Sequence, residues 1–277
     1  MRKRSLRFTL FIYASITVIV LVLLFPFFVA LSTAFKDLEG VYANPPSWIP
    51  QRLAWENFQH IWEKYPMAQY FINSIIVATG STILCTALCV PAAYAFARLR
   101  FRGRKALLFM LLVVQMFSPI IVIISLFKVI GALHLINTLS SLIIVNAVFT
   151  LAFATWMMNG YFSTIPKEIE EAALIDGCSR FQSMTRITLP IAIPGVVTVV
   201  IYTFIAAWNE FMFALTFINV TEKRPLTLGL YNFVGRWTVS WQYLMAAALL
   251  ALIPVILLFM MIERHLVEGL AGGAVKG

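Results

Sequence analysis

Polar positions divide the chain into six apolar runs, at about 8–35, 69–97, 106–127, 138–160, 194–218 and 243–262. About 20 apolar residues carry a helix across a bilayer core, and each run meets that length. Most are apolar on every side, as expected of helices set in lipid or packed on all faces. The pattern therefore predicts an all-α membrane protein of six transmembrane helices, one bundle over 1–277, with no tandem repeat and no separate soluble domain. A few polar residues interrupt the runs. Thr79, Thr82 and Thr86 share a face of the second, which has Pro91 near its end; Gln115 and Ser118 share a stripe of the third with Val122 and Ser125, and Pro119 predicts a kink there. Asn146 and Thr150 lie on one side of the fourth. The fifth, read as one helix, sets Thr203, Ala206, Ala207, Glu210 and Ala214 against a bulky side of Phe204, Trp208, Phe211 and Leu215.

Between the fourth and fifth runs, residues 161–193 are charged yet still helix-patterned. Ile165, Ile169, Ala172, Ala173 and Asp176 recur at spacings that gather them on one side of a short helix. Pro166 suits its first turn, Glu168, Glu170 and Glu171 place negative charge in its N-terminal half, and Gly177 suits the position just past its end. Ser179 then precedes Gln182 by three residues, a capping box that starts a second helix at once. The expected form is helix, sharp turn, helix, presented for something outside the membrane to grip.

Charge sets the orientation. The formal net charge is +9, yet only 12% of residues are charged, against about 25% in globular proteins. With the N-terminus inside, the internal segments hold 14 of the 21 Lys and Arg, which predicts both termini and the 161–193 loop in the cytoplasm. The excess sits at Arg2, Lys3, Arg4 and Arg7 and at Arg98, Arg100, Arg102, Arg104 and Lys105, beside the inner leaflet, so anionic membrane lipid is the expected partner and nucleic acid is not. The first apolar run is too long for a signal-peptide core. The segment 36–67, with Pro45, Pro46 and Pro50 and with Trp48, Trp55 and Trp62, reads as an external loop at the interface.

Catalytic chemistry has little to stand on. His60, His134 and His265 lie outside or at the ends of spans, Cys85, Cys89 and Cys178 form no ligand set for a metal, and no phosphate-binding GxxxxGK[ST] sequence occurs, so any ATP hydrolysis belongs to another polypeptide. Glu210 is the strongest single feature. A carboxylate in the hydrocarbon core is costly unless paired, protonated or facing water, which makes Asn209 and Glu210 candidates for a solute pathway or for interhelical hydrogen bonds. Gln115, Ser118, Asn146 and Thr150 join them as pathway candidates or packing residues.

Glu171-Ala172-Ala173, Gly177 after three residues, then nine residues, Ile187, one residue and Leu189-Pro190 resemble, without a gap, the EAA loop of permease subunits in bacterial ATP-binding-cassette importers. That resemblance implies a type I importer permease whose first loop helix is the coupling helix, with Glu170, Glu171, Ala172, Ala173, Asp176 and Gly177 docking into an ATPase subunit. Asn73-Ser74, Ala93 to Arg98, Trp208-Asn209-Glu210, Arg224 to Thr227 and the glycine-rich end Gly269 to Gly277 look like the second permease of maltose-type carbohydrate systems. The implied assembly in the bacterial inner membrane is this subunit, a related second permease, two ATPases that bind ATP and Mg, and an extracytoplasmic sugar-binding protein that meets the loop at Tyr231 to Trp241. No cofactor is expected on this chain. A permease for a polyol, glycerol-phosphate or amino acid shares the loop motif, and an intramembrane enzyme or a stand-alone channel remain as alternatives of other classes.

Overall fold

The computed structural model describes residues 6–235 and 238–274, with side chains from 10 to 261 except 236 and 237. The basic residues Arg2, Lys3 and Arg4, the loop residue Arg236 and the last three residues fall outside the described residues, and the side chains of the glycine-rich end are not described. The chain divides into two compact units, 1–66 with 230–253, and 67–229 with 254–277.

In the first unit, α1 (Leu6–Ala34) is apolar throughout, and its side chains from Leu10 to Phe25 are almost all exposed, the arrangement of a helix surrounded by lipid or a partner. Two short helices follow, α2 (Leu38–Val41), capped by Asp37, and α3 (Glu56–Lys64). They are tied back by polar side chains. The buried Asn57 amide donates to the carbonyls of Ala34 and Lys36, both at 2.8 Å, and Ser32 Oγ donates to the Trp48 carbonyl at 2.6 Å. Trp48, Trp55 and Trp62 are all exposed.

The second unit is built on α4 (Met67–Arg98), which absorbs Pro91 without breaking. The third apolar run is two helices, α5 (Arg104–Gln115) and α6 (Pro119–Ala132), crossing at 96°. Pro119 at the first position of α6 does more than kink the run: residues 116–118 leave helical geometry, so Gln115, Ser118, Val122 and Ser125 share no stripe. After α7 (Leu139–Thr164), capped by Thr138, come α8 (Lys167–Ile175), α9 (Arg180–Ser183), a π-helical turn (Met184–Thr188) and α10 (Leu189–Ile191). The segment 180–191 meets α11 (Ile193–Trp208) at 80°, with Pro190 and Pro194 on either side of the corner.

The fifth run also differs from a single helix. It breaks at 209–211 and resumes as α12 (Met212–Phe217), so Glu210 and Ala214 do not continue the face of Thr203. The unit closes with α13 (Leu226–Leu230), and α14 (Trp241–Ala274) begins in the first unit and ends in the second.

Packing follows small residues. A Cβ at Gly195 would lie 2.5 Å from the Tyr161 ring, so glycine lets α11 approach α7. One apolar core joins α4, α7 and α11 to the π turn through Cys85, Ala93, Tyr94, Met158, Phe162 and Met184. Another joins α4, α6, α7 and α12 through Val77, Ile130, Leu142, Phe213 and Phe217. Asn73 and Ser74, at the start of α4, hold the chain before α13: the Asn73 amide donates to the Glu222 and Arg224 carbonyls at 2.9 Å, and Ser74 Oγ accepts from the Leu226 amide at 2.7 Å.

Candidate functional site

The charged loop folds as a helix between two defined ends. Ser179 accepts from the Gln182 amide at 3.2 Å while Gln182 accepts from the Ser179 amide at 2.8 Å, so the reciprocal cap starts α9. The end of α8 is a Schellman turn, with the Cys178 amide bonded to the Ala173 carbonyl at 3.0 Å and that of Gly177 to Leu174 at 3.2 Å. Gly177 has φ +86°, a left-handed value that a Cβ penalises.

The faces of α8 depart from the expected grouping. Ile165 precedes the helix as the cap of α7, while Ile169, Ala172 and Asp176 are exposed and Ala173 is buried. The inward row is Glu170 and Ala173. Glu170 is buried because three donors meet its carboxylate: Arg98 Nε at 2.5 Å and Thr188 Oγ1 at 2.9 Å on Oε1, and Tyr94 Oη at 3.1 Å on Oε2. Arg98 also donates through Nη2 to the Ile165 carbonyl at 2.9 Å. With both side chains under a tenth exposed, removing one partner strands a buried charge, a loss of about 3–5 kcal/mol. The outward surface is different. Ile169, Leu174, Ile175 and Phe181 stand exposed around Glu171, Asp176 and Ala172, with Ile175 86% exposed. This is an apolar patch with an acidic rim on a helix fixed from behind.

The polar residues of the spans separate into two places. Gln115, Asn146 and Thr150 line one cavity of about 240 Å³ with Tyr202, Phe149 and Phe213, at the bend between α5 and α6 and against α7 and α11. Asn146 is 4% exposed and its Nδ2 has no hydrogen-bond partner among the described residues, whereas the Thr150 hydroxyl donates to the Asn146 carbonyl at 2.8 Å. Ser118 lies exposed at the break and outside that lining. Asn209 and Glu210 lie in the break before α12, also outside it. Glu210 accepts from the amides of Phe213 at 2.6 Å and Ala214 at 3.0 Å, capping α12, and its carbonyl accepts from Thr227 Oγ1 at 2.6 Å.

Sequence reasoning missed the roles of Arg98, Tyr94 and Thr188. Arg98 read as one charge in a basic turn, and its signals were its place at the end of an otherwise apolar helix and, with Tyr94, its membership of the Ala93 to Arg98 segment that carries the resemblance.

Long apolar helices, bent spans and a helix–turn–helix anchored on the bundle define a polytopic helical membrane protein with a charged loop that is built to dock. The chain belongs to the family described as the binding-protein-dependent transport system inner membrane component, which matches residues 87–272. It is 38% identical over 96% of its length to the inner membrane ABC transporter permease protein YcjP of Escherichia coli, covering 95% of that protein. It is 32% identical to the trehalose/maltose transport system permease protein MalG of Thermococcus litoralis, with all of both chains covered. A chain of a bacterial ABC transporter involved in the import of the acidic polysaccharide alginate shares the fold, with a TM-score of 0.80 at 21% identity over 95% of this chain and 98% of that one. The protein is a multi-pass inner-membrane transport subunit, and the all-helical permease fold expected from the sequence holds.

Proposed function

We propose that this chain is one of two related permeases in an ATP-driven importer that takes up a sugar or oligosaccharide handed over by an extracytoplasmic binding protein. Full-length likeness to a trehalose/maltose permease supports the substrate class. The observation that carries the mechanism is the two-sided α8, buried through Glu170 and Ala173 and apolar outside at Ile169 and Ile175. In this reading both termini and α8 are cytoplasmic, two ATPase subunits hold ATP and Mg, and Glu171, Ala172 and Asp176 face the ATPase. Closure of the ATPase pair pushes α8, and the corner at 180–193 turns that push into rotation of α7 and α11, alternating access to the path.

The cavity at Asn146 is the solute path's point of grip on this subunit. Its lining sets the aromatic rings of Tyr202, Phe149 and Phe213 beside the Asn146 and Gln115 amides, the mix of apolar surface and hydroxyl-binding groups that a sugar ring takes. The remainder of the basic turn, Arg100 to Lys105, rests against anionic lipid. The test is ATPase activity of the reconstituted four-subunit complex with its binding protein and a panel of maltose, trehalose, raffinose, glycerol and glycerol-3-phosphate. Stimulation and uptake by one of the sugars supports the reading; stimulation by glycerol or its phosphate alone, or uptake without ATP, overturns it.

A further inference from the structure

We propose that Arg98 and Glu170 form a buried latch through which the coupling helix drives α4 directly, so that load enters the bundle through three helices instead of the two continuous with the loop. This rests on the importer reading above.

Chain connectivity alone sends a push on α8 into α7 through Ile165 and Pro166, and into α11 through the π turn and α10. Neither route reaches α4. The carboxylate of Glu170 closes that gap, with two of its three donors, Tyr94 and Arg98, on the last turn and a half of α4. The guanidinium holds Glu170 with one nitrogen and the carbonyl that ends α7 with another, so α4, α7 and α8 meet at one side chain. Thr188, the last residue of the π turn and fully buried, adds the strand of chain leading to α11. All four segments that have to move together are thus joined at one ion pair, α4 and the π turn through the Glu170 carboxylate and α7 through the Arg98 guanidinium. Ala173, one turn along the same face and 4% exposed, lets α8 lie close enough for the contact.

The geometry matters more than the attraction. Apolar packing is non-directional and lets a short helix slide or roll, whereas a planar guanidinium shared between two acceptors fixes both position and rotation. Arg98 and Glu170 are positioning residues, since neither is exposed to an ATPase.

Two arms of one experiment test the latch, both in the assembled four-subunit complex with the panel sugar that most stimulates the wild type. In the first, the double variant Arg98→Met with Glu170→Met removes both charges at once and so strands neither. The readout is the ratio of sugar-stimulated to basal ATP hydrolysis alongside the melting temperature of the complex. A drop in the ratio of at least about fivefold, the low end for coupling between distant sites, supports the latch; a wild-type ratio overturns it whatever the melting temperature does. A merely structural pair would change yield and melting temperature and leave the ratio alone.

The second arm decides the matter where the double variant does not assemble. Cysteines replace Arg100, two residues past the end of α4, and Lys167 at the start of α8, both exposed and lining one groove, in a Cys178→Ser background, and a short bis-maleimide joins them; capping with N-ethylmaleimide is the control. If α4 and α8 move as one body, the crosslinked complex keeps the stimulated rate of the capped control. Inhibition of more than about fivefold relative to that control shows that they part during the cycle and overturns the latch. A wild-type complex that no sugar stimulates would instead reject the importer reading, so the two failures are distinguishable.

Discussion

Glu210 offers the sharpest test of what a charged residue in an apolar run is for. Its two carboxylate oxygens accept from the first free amides of α12, at 2.6 Å from Phe213 and 3.0 Å from Ala214, and the helix they cap has only six residues. Glu210→Ala removes both acceptors. Hydrogen bonds to a charged group contribute about 1.5–3 kcal/mol each and loss of a cap about 0.5–2 kcal/mol, so taking the lower range for a half-buried side chain gives about 2–3 kcal/mol of local stability. At about 1.4 kcal/mol per factor of ten, opening of α12 becomes about 30- to 150-fold more frequent. Glu210→Gln keeps one carbonyl oxygen for one amide and loses the charge, so about 1 kcal/mol, or about fivefold, is expected. Hydrogen exchange of a peptide spanning 211–218, followed by mass spectrometry on the purified complex, measures both. Exchange in Glu210→Ala within twofold of wild type, or equal acceleration in Gln and Ala, refutes the cap. A Gln variant with a protected α12 and no uptake would assign the carboxylate to the solute path as well.

Three further outcomes follow from the same geometry. Gly195→Val drives a side chain into the Tyr161 ring between α7 and α11, so overpacking of about 1–3 kcal/mol should appear as a lower melting temperature and a poorer yield, with Gly195→Ala intermediate. Gly177→Ala puts a Cβ on a residue at φ +86° with no neighbour within 4 Å, costing about 1 kcal/mol through the backbone alone; sugar-stimulated ATP hydrolysis should fall more than thermal stability does. Asn146→Leu replaces a buried donor that has no partner among the described residues, so the melting temperature should hold or rise while the KM for sugar uptake rises about tenfold. An unchanged KM would remove Asn146 from the solute path.

The legible parts of this chain are those written locally. The capping box at Ser179 and Gln182, the stop at Gly177 and the boundaries of α4 and α7 follow from residues within a turn of one another, and each occurs close to where the pattern places it. The two broken spans are harder for different reasons. Pro119 announces a disturbance but not its size, since a proline alone is compatible with a kink, and the 96° turn depends on where α5 and α6 pack. The break at 209–211 has no glycine or proline to mark it. It is held by the Glu210 carboxylate on the amides of Phe213 and Ala214 and by a contact remote in sequence, Thr227 Oγ1 on the Glu210 carbonyl. A reading by periodicity runs the helix straight through.

Glu170 shows why the face of α8 was the least legible feature. Hydropathy treats a carboxylate as solvent-facing, which groups Glu170 with Glu171, and nothing within ten residues argues otherwise. The partners that invert this lie 72 and 76 positions earlier, in Arg98 and Tyr94, and 18 later, in Thr188. Burial of a charge is decided by donors and not by pattern, so the adjacent glutamates take opposite roles: Glu170 is enclosed, and Glu171 is left outside among Ile169, Leu174 and Ile175. The division is what a transmitting element requires. A nine-residue helix has too little surface to be anchored and gripped by the same side chains, and putting the directional contacts behind it leaves the apolar outer face free to be engaged and released without loosening its hold on the bundle.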